Sequence, residues 1–213
     1  MKKKRKIKRK KKSNMLIPLV NTANQIIGLG DKYTSHRGEG VLHRALSVWI
    51  FSTDKKKVLL QKRSSKKMLF GGLFTNTCCT HPLLTPEMKK YYKTHTGIFP
   101  ETEDEKIQSY IHTSKIRLQE EIGCTTDLQY IGEFQYSASW KNQGSENEWC
   151  AILIGYKNHD ISKFNPEEIE YLKYVDIIDL EKDMNIHPKR YSPWSKIEWK
   201  KIKDYCYAQQ NMV

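Results

Sequence analysis

Residues 103–123 read EDEKIQSYIHTSKIRLQEEIG. Ile107, Tyr110, Ile111, Ser114, Leu118 and Ile122 recur close to helical spacing, which predicts one amphipathic helix. Acidic residues open it, where the free N–H groups of a helix favour negative charge, and Gly123 follows it, where a helix end favours glycine. Its last turn, RLQEEIG at 117–123, sets two glutamates side by side just before that glycine. Alone, this is an ordinary acidic helix surface. The segments on either side decide what the glutamates are for.

Toward the N-terminus, residues 16–20, 42–52, 57–61 and 73–77 have the apolar, β-branched and aromatic character of strands. Toward the C-terminus the same holds for 130–137, 148–156 and 171–175. A last helix is marked by Ser192 as a cap, Pro193 in the first turn, and Trp194, Ile197, Lys201 and Tyr205 along it. Residues 83–102, with two prolines and mixed polarity, are expected to be an irregular insertion. Strands and helices interleaved in this way predict an α/β or α+β sandwich.

The chain has 213 residues, which suits one domain. Its formal net charge is +13, but residues 1–12, MKKKRKIKRKKK, hold 10 of the 37 basic residues and no acidic one. Without them the charge is +3, so the body is only mildly basic. We expect residues 1–14 to be a disordered polybasic tail ahead of a single domain over 15–213. The plain role of such a tail is a solvated arm; its functional roles would be contact with nucleic acid, anionic lipid or an import receptor. The tail has no apolar core of a secretory signal and no presequence pattern, and no apolar run reaches the ~18 residues of a membrane span. The five cysteines, at 78, 79, 124, 150 and 206, are odd in number and irregular in spacing. That predicts reduced thiols in a cytoplasmic protein, with a nuclear one compatible with the tail.

Four constellations can carry chemistry. Residues 75–82, TNTCCTHP, place Cys78 and Cys79 side by side with His81 just beyond. A disulfide between adjacent cysteines is strained, and no second pair stands at zinc-finger spacing. His36 and His43 lie upstream; singly, each histidine reads as an ordinary surface or core residue. In SENEWC, Glu146 and Glu148 are two apart; within a strand both carboxylates would point to one face, and the plain alternative is an exposed loop leading into the strand. A divalent cation is the natural partner of two such charges, and histidines beside them favour Mn²⁺ or Zn²⁺, with Mg²⁺ also suited. QKRSSKK at 61–67 is a basic loop able to hold phosphate, though taken alone it reads as a solvated turn. Finally, EEIG is the latter half of a Nudix-like pattern, G-x₅-E-x₇-R-E-U-x-E-E-x-G-U. Ile116 and Arg117 replace its Arg–Glu pair, so the hydrolase form of the box is broken.

In order along the chain, DKYTSH (31–36), LHRALSVWIF (42–51), LLQKRSSKK (59–67), TNTCCTHP (75–82), EEIG (120–123), FQY (134–136), ENEWC (146–150) and SPW (192–194) together resemble type I isopentenyl-diphosphate isomerases, a Nudix-fold family. TNxxCxHP with a later ExE is the specific part. The resemblance implies a Nudix-like α/β/α sandwich with a mixed sheet. It makes His36, His43, His81, Glu146 and Glu148 ligands of one divalent metal, and gives Glu121 to a Mg²⁺ ion on the substrate diphosphate. It assigns Lys32, Arg63 and Lys67 to the phosphates, Cys79 and Glu148 to proton transfer with Tyr136 assisting, and Trp194 to the hydrocarbon. A monomer acting on a small diphosphate follows from the same resemblance. The chain departs from it at FGGLFTN (70–76), where relatives commonly carry proline and tryptophan, and in the long 83–102 insertion. Two other functions compete with this one: a Nudix pyrophosphohydrolase acting on a nucleotide or RNA cap, and a non-catalytic nucleic-acid binder using the tail.

Overall fold

The structure is a computed structural model and describes residues 15–210. The polybasic tail, and every expectation attached to it, lies outside the described residues. Among these, no helix is long and apolar enough to cross a membrane.

The centre of the fold is β3 (His43–Phe51), all of whose residues are buried. One edge is occupied along its whole length by β8 (Gly144–Tyr156), in parallel, from His43↔Glu148 to Phe51↔Tyr156. The other edge is shared in succession by three strands. β1 (Leu16–Val20) meets it at His43, β6 (Cys78–Thr80) at Leu46 to Val48, and β4 (Lys57–Arg63) at Ile50 and Phe51. β2 (Ile26–Asp31) pairs with β1, β5 (Phe74–Thr75) and β9 (Ile169–Asp176) pair with β4, and β7 (Leu128–Trp140) pairs with β8. Among the described residues, the result is one mixed nine-stranded sheet.

Alternation along β3 sends its side chains to two different layers. Ala45, Trp49 and Phe51 pack with Ile177 and Leu180 of α4 (Ile177–Ile186) and with Trp199 and Ile202 of α5 (Pro193–Gln210). Leu46, Val48 and Ile50 pack on the opposite face with Tyr110, Leu118 and Ile122 of α3 (Glu103–Ile122). Helices therefore cover both faces, and the expected α+β class and α/β/α sandwich are what the chain builds. α3 ends as its sequence dictates. Thr102 and Glu105 form a reciprocal capping box, and Gly123 closes the helix at φ 70°, a left-handed conformation that glycine adopts without steric cost.

Several elements differ from expectation. Residues 83–102 are not irregular throughout: α2 (Pro86–Tyr91) starts at Thr85, whose side chain accepts from Met88 N. The insertion is tied down where Phe99 N donates to Ile26 O at 2.8 Å and the Tyr92 hydroxyl donates to the same oxygen at 2.9 Å. β2, β6 and α4 were not expected. The strand expected over 73–77 is cut to Phe74–Thr75, because the Asn76 amide donates to Val48 O and Cys78 O and turns the chain there. β7 and β8 are longer than expected, forming a hairpin that begins near the cleft described next.

Candidate active site and metal centre

Strand register builds the site. Glu148 on β8 has His43 of β3 as its partner on one side and Tyr136 of β7 on the other. His43 Nε2 lies 3.4 Å from Glu148 Oε1, and the Tyr136 hydroxyl donates to Glu148 Oε2 at 2.6 Å. His81 leaves the end of β6 and brings its Nε2 to 3.6 Å from Glu148 Oε1. His36 caps the C-terminus of the one-turn helix α1 (Lys32–Ser35), with Nε2 2.9 Å from Glu146 Oε2. Gly144 makes that approach possible: a Cβ there would stand 2.1 Å from the His36 carbonyl oxygen, which instead accepts from Ser145 N.

The donor chemistry fits a metal ion. His36 Nδ1 bonds Lys32 O at 2.5 Å and His43 Nδ1 bonds Val41 O at 2.7 Å. A carbonyl only accepts, so both rings carry a hydrogen on Nδ1 and turn Nε2 inward, the nitrogen left to ligate. Those nitrogens face carboxylate oxygens, a place that favours positive charge: against its burial, Glu146 raises the His36 pKa. His43 Nε2, both nitrogens of His81 and Glu146 Oε2 are buried without a hydrogen-bond partner. Burial holds His81 well below the ordinary imidazole pKa, in the neutral form that ligates metals. His36, His43, His81 and Glu148 can each offer one atom within 4.8 Å of the others. Acceptors about 2.1 Å from one shared ion stand roughly 3 to 3.5 Å apart, close to the separations found. Glu146 extends this group through His36.

The adjacent cysteines separate by strand alternation. Cys79 is the register partner of Ser47 and faces the cleft; Cys78 partners Val48 and packs under α3. The Cys79 thiol donates to Asn76 Oδ1 at 2.8 Å and receives the Trp194 indole N–H at 3.1 Å. Burial, and the negative charge of Glu198 behind it, push Cys79 up to about 12, so it holds its proton at neutral pH. Glu148 is buried too, but His43 holds it below the usual carboxylate range. The cleft, about 260 Å³, thus has a protonated thiol and an ionised carboxylate on its wall.

At its mouth sit Lys32, Arg63, Lys66 and Lys67. Burial, then repulsion from Arg63, lowers Lys67 to about 8, although Glu168 pairs with it. Burial, then Arg117, likewise lowers Lys32. Cations that lower one another's pKa are a site waiting for an anion. Arg63 also lies over the Trp194 ring, 5.2 Å from its centroid, and its Nε has no partner. Phe70, from the departing FGGLFTN loop, meets Trp194 edge-on at 5.2 Å and backs the apolar wall.

The expected residues Lys32, His36, Arg63, Lys67, Cys79, His81, Tyr136, Glu146, Glu148 and Trp194 line this one cleft. His43 lies directly behind it in the histidine group. Glu121 stands apart from the histidines, buried and paired with Arg117 Nη2 at 2.7 Å, within electrostatic reach of Lys32 and Lys67. Arg117 stands where a Nudix hydrolase box carries glutamate, and it pairs with Glu120 as well. Ser47, Asn76 and Glu198 were missed. Asn76 sat in plain view within TNTCCTHP, whereas Glu198 reads as one more charge on an amphipathic helix.

Fold and cleft are those of an enzyme domain with side chains able to hold a metal ion and an anionic ligand. No protein-family model matches the chain. Curated relatives do. An isopentenyl-diphosphate Delta-isomerase 1 of Aromatoleum aromaticum is 34% identical over 176 residues, 83% of this chain and 85% of that protein. The isopentenyl-diphosphate Delta-isomerase of Nocardia farcinica is 31% identical over 92% of this chain and 98% of its own. The Bos taurus isopentenyl-diphosphate Delta-isomerase 1 is 33% identical over 76% of this chain and 70% of its own. Among solved structures, DR0079 of Deinococcus radiodurans shares the fold with a TM-score of 0.58 at 13% identity, over 87% of this chain and 98% of that one. The chain belongs to the isopentenyl-diphosphate Delta-isomerase family.

Proposed function

We infer that this chain interconverts isopentenyl and dimethylallyl diphosphate. The observation that carries this is the placement of Cys79 and Glu148 on one small cleft, beside a cation-lined mouth. Moving the double bond needs a proton delivered to the terminal alkene carbon and another removed from the carbon on the far side of the tertiary centre. Cys79 and Glu148 hold complementary protonation states, one with a proton to give and one ready to take it. Tyr136 hydrogen-bonds Glu148 and can relay a proton to or from it. Lys32, Arg63 and Lys67 would hold the diphosphate and so orient the five-carbon chain inward. Trp194 and Phe70 would shield the cationic intermediate from water, with the indole face favouring positive charge by about 1 kcal/mol.

His36, His43, His81, Glu146 and Glu148 would hold one divalent ion, for which the histidine-rich donors suit Mn²⁺ or Zn²⁺ as well as Mg²⁺. When bound, that ion would fix the orientation of Glu148 and tune its acidity. Glu121, beside Lys32 and Lys67, is the carboxylate we assign to a Mg²⁺ ion accompanying the diphosphate. The hydrolase function is disfavoured because Arg117 fills the position of a metal-binding glutamate. The test is incubation with isopentenyl diphosphate and Mg²⁺. Dimethylallyl diphosphate should form, and nucleotides should release no phosphate; the reverse pattern would overturn the isomerase in favour of the hydrolase.

A further inference from the structure

Of the buried carboxylates Glu121, Glu146, Glu148 and Glu198, the last has no task in the reaction above. It lies on α5, four residues after Trp194, and is 0% exposed. Three donors reach it. Trp49 Nε1 donates to Oε2 at 2.8 Å, the Cys150 thiol lies 3.6 Å from Oε1, and the Ser47 hydroxyl is near enough to hold the Glu198 pKa down. Ser47 Oγ also lies 3.7 Å from Cys79 Sγ, its register partner. A line of carboxylate, hydroxyl and thiol therefore runs from the core to the reacting side chain.

Ser47 has a single hydrogen to give. While Glu198 is ionised, that hydrogen is drawn to the carboxylate, and Ser47 presents only lone pairs to the sulfur. Once Glu198 carries a proton, it can donate to Ser47, whose own hydrogen is then free to turn toward Cys79. One more donor on the sulfur, added to the Trp194 indole, eases negative charge there.

We propose that Glu198 is a positioning residue for proton transfer at Cys79, acting through Ser47, whose hydroxyl it directs either to the carboxylate or to the sulfur. Its consequence for turnover rests on the isomerase function; the geometry does not. Burial raises Glu198 to about 7 against the hydrogen bonds of Ser47, Trp49 and Cys150. The titratable groups facing it are Cys150 and Glu148 from β8 and Cys79 from β6, while β3 contributes only the neutral donors Ser47 and Trp49. The hydroxyl should therefore turn near neutral pH.

Glu198→Gln is close to isosteric, keeps an acceptor for Trp49 and offers Ser47 an N–H, which holds the hydroxyl toward sulfur at every pH. Wild-type kcat should bend near pH 7, and the variant should lack that bend. At about pH 8 the two should differ in kcat by about fivefold, the scale of one hydrogen bond, with KM within about twofold. In a Ser47→Ala background, Glu198→Gln should change kcat by less than about twofold. A second readout is independent of turnover: the infrared S–H band of Cys79, identified by its loss in Cys79→Ala, should shift across neutral pH in wild type and not in Glu198→Gln. A band that is constant in wild type, or a Glu198→Gln effect just as large without Ser47, overturns the proposal. A shifting band in a protein that turns over no isopentenyl diphosphate upholds the Glu198–Ser47 link and overturns the isomerase function instead.

Discussion

His43 and Glu148 are neighbours across the parallel β3–β8 pair, with Nε2 and Oε1 3.4 Å apart and His43 Nε2 buried without a hydrogen-bond partner. The sheet thus holds an unpartnered imidazole nitrogen beside a carboxylate, two ligand atoms that a divalent cation can bridge.

Metal removal should therefore cost stability as well as activity. An ion present at about 100 times its dissociation constant stabilises by about 2.7 kcal/mol. For a domain of this size that is roughly 5 to 10 °C in thermal midpoint. Chelation should lower the midpoint by that amount, and divalent ion should restore it. His43→Ala should show a low midpoint that added metal does not raise, with no metal found by elemental analysis.

The site was readable in sequence to the extent that it lies in short contiguous motifs. His36, His81, Glu146 and Cys79 each sit in a stretch whose residue order is itself distinctive. The choice between Cys78 and Cys79 came from resemblance, and the structure gives its physical cause: alternation on the three-residue strand β6 sends one thiol to the cleft and the other under α3. That strand was invisible beforehand because its pairing with β3, not its own propensity, makes it a strand. Glu198 was missed for a related reason. Its meaning depends on burial against Trp49, 149 residues away in sequence, and a lone glutamate on an amphipathic helix carries no sign of that.

Glu198 should also leave a mark on folding. Burial raises its pKa to about 7 in the folded chain, from the 4.5 of an ordinary glutamate. Between those values the folded state binds more protons than the unfolded one, so stability falls as pH rises through this window and the loss is complete above it. The size is on the order of 3 kcal/mol for a shift of this extent. Glu198→Gln should flatten this slope. Urea denaturation of both proteins at about pH 5 and pH 8 checks it, and equal slopes for the two would contradict a buried, raised Glu198.

The mouth cations should govern affinity for the diphosphate more than the chemical step. Arg63→Ala removes both a positive charge and the group above Trp194, and should raise KM by about tenfold or more, the scale of one lost charged hydrogen bond. Lys67, lowered to about 8 by burial and Arg63, should lose its charge as pH rises through that value in the free enzyme. kcat/KM should accordingly fall on the alkaline side, and Lys67→Arg, which stays charged, should remove that limb of the profile.

The most direct test of the central claim compares turnover of isopentenyl diphosphate, with Mg²⁺ present, by wild type, Cys78→Ala and Cys79→Ala. Wild type and Cys78→Ala should both form dimethylallyl diphosphate, the latter at some cost in stability because its thiol is buried under α3. Cys79→Ala should be slower by about 10² to 10⁴, the range of a lost proton-transfer group. Full activity in Cys79→Ala, or no product from folded, metal-replete wild type, would contradict the isomerase chemistry assigned to this cleft.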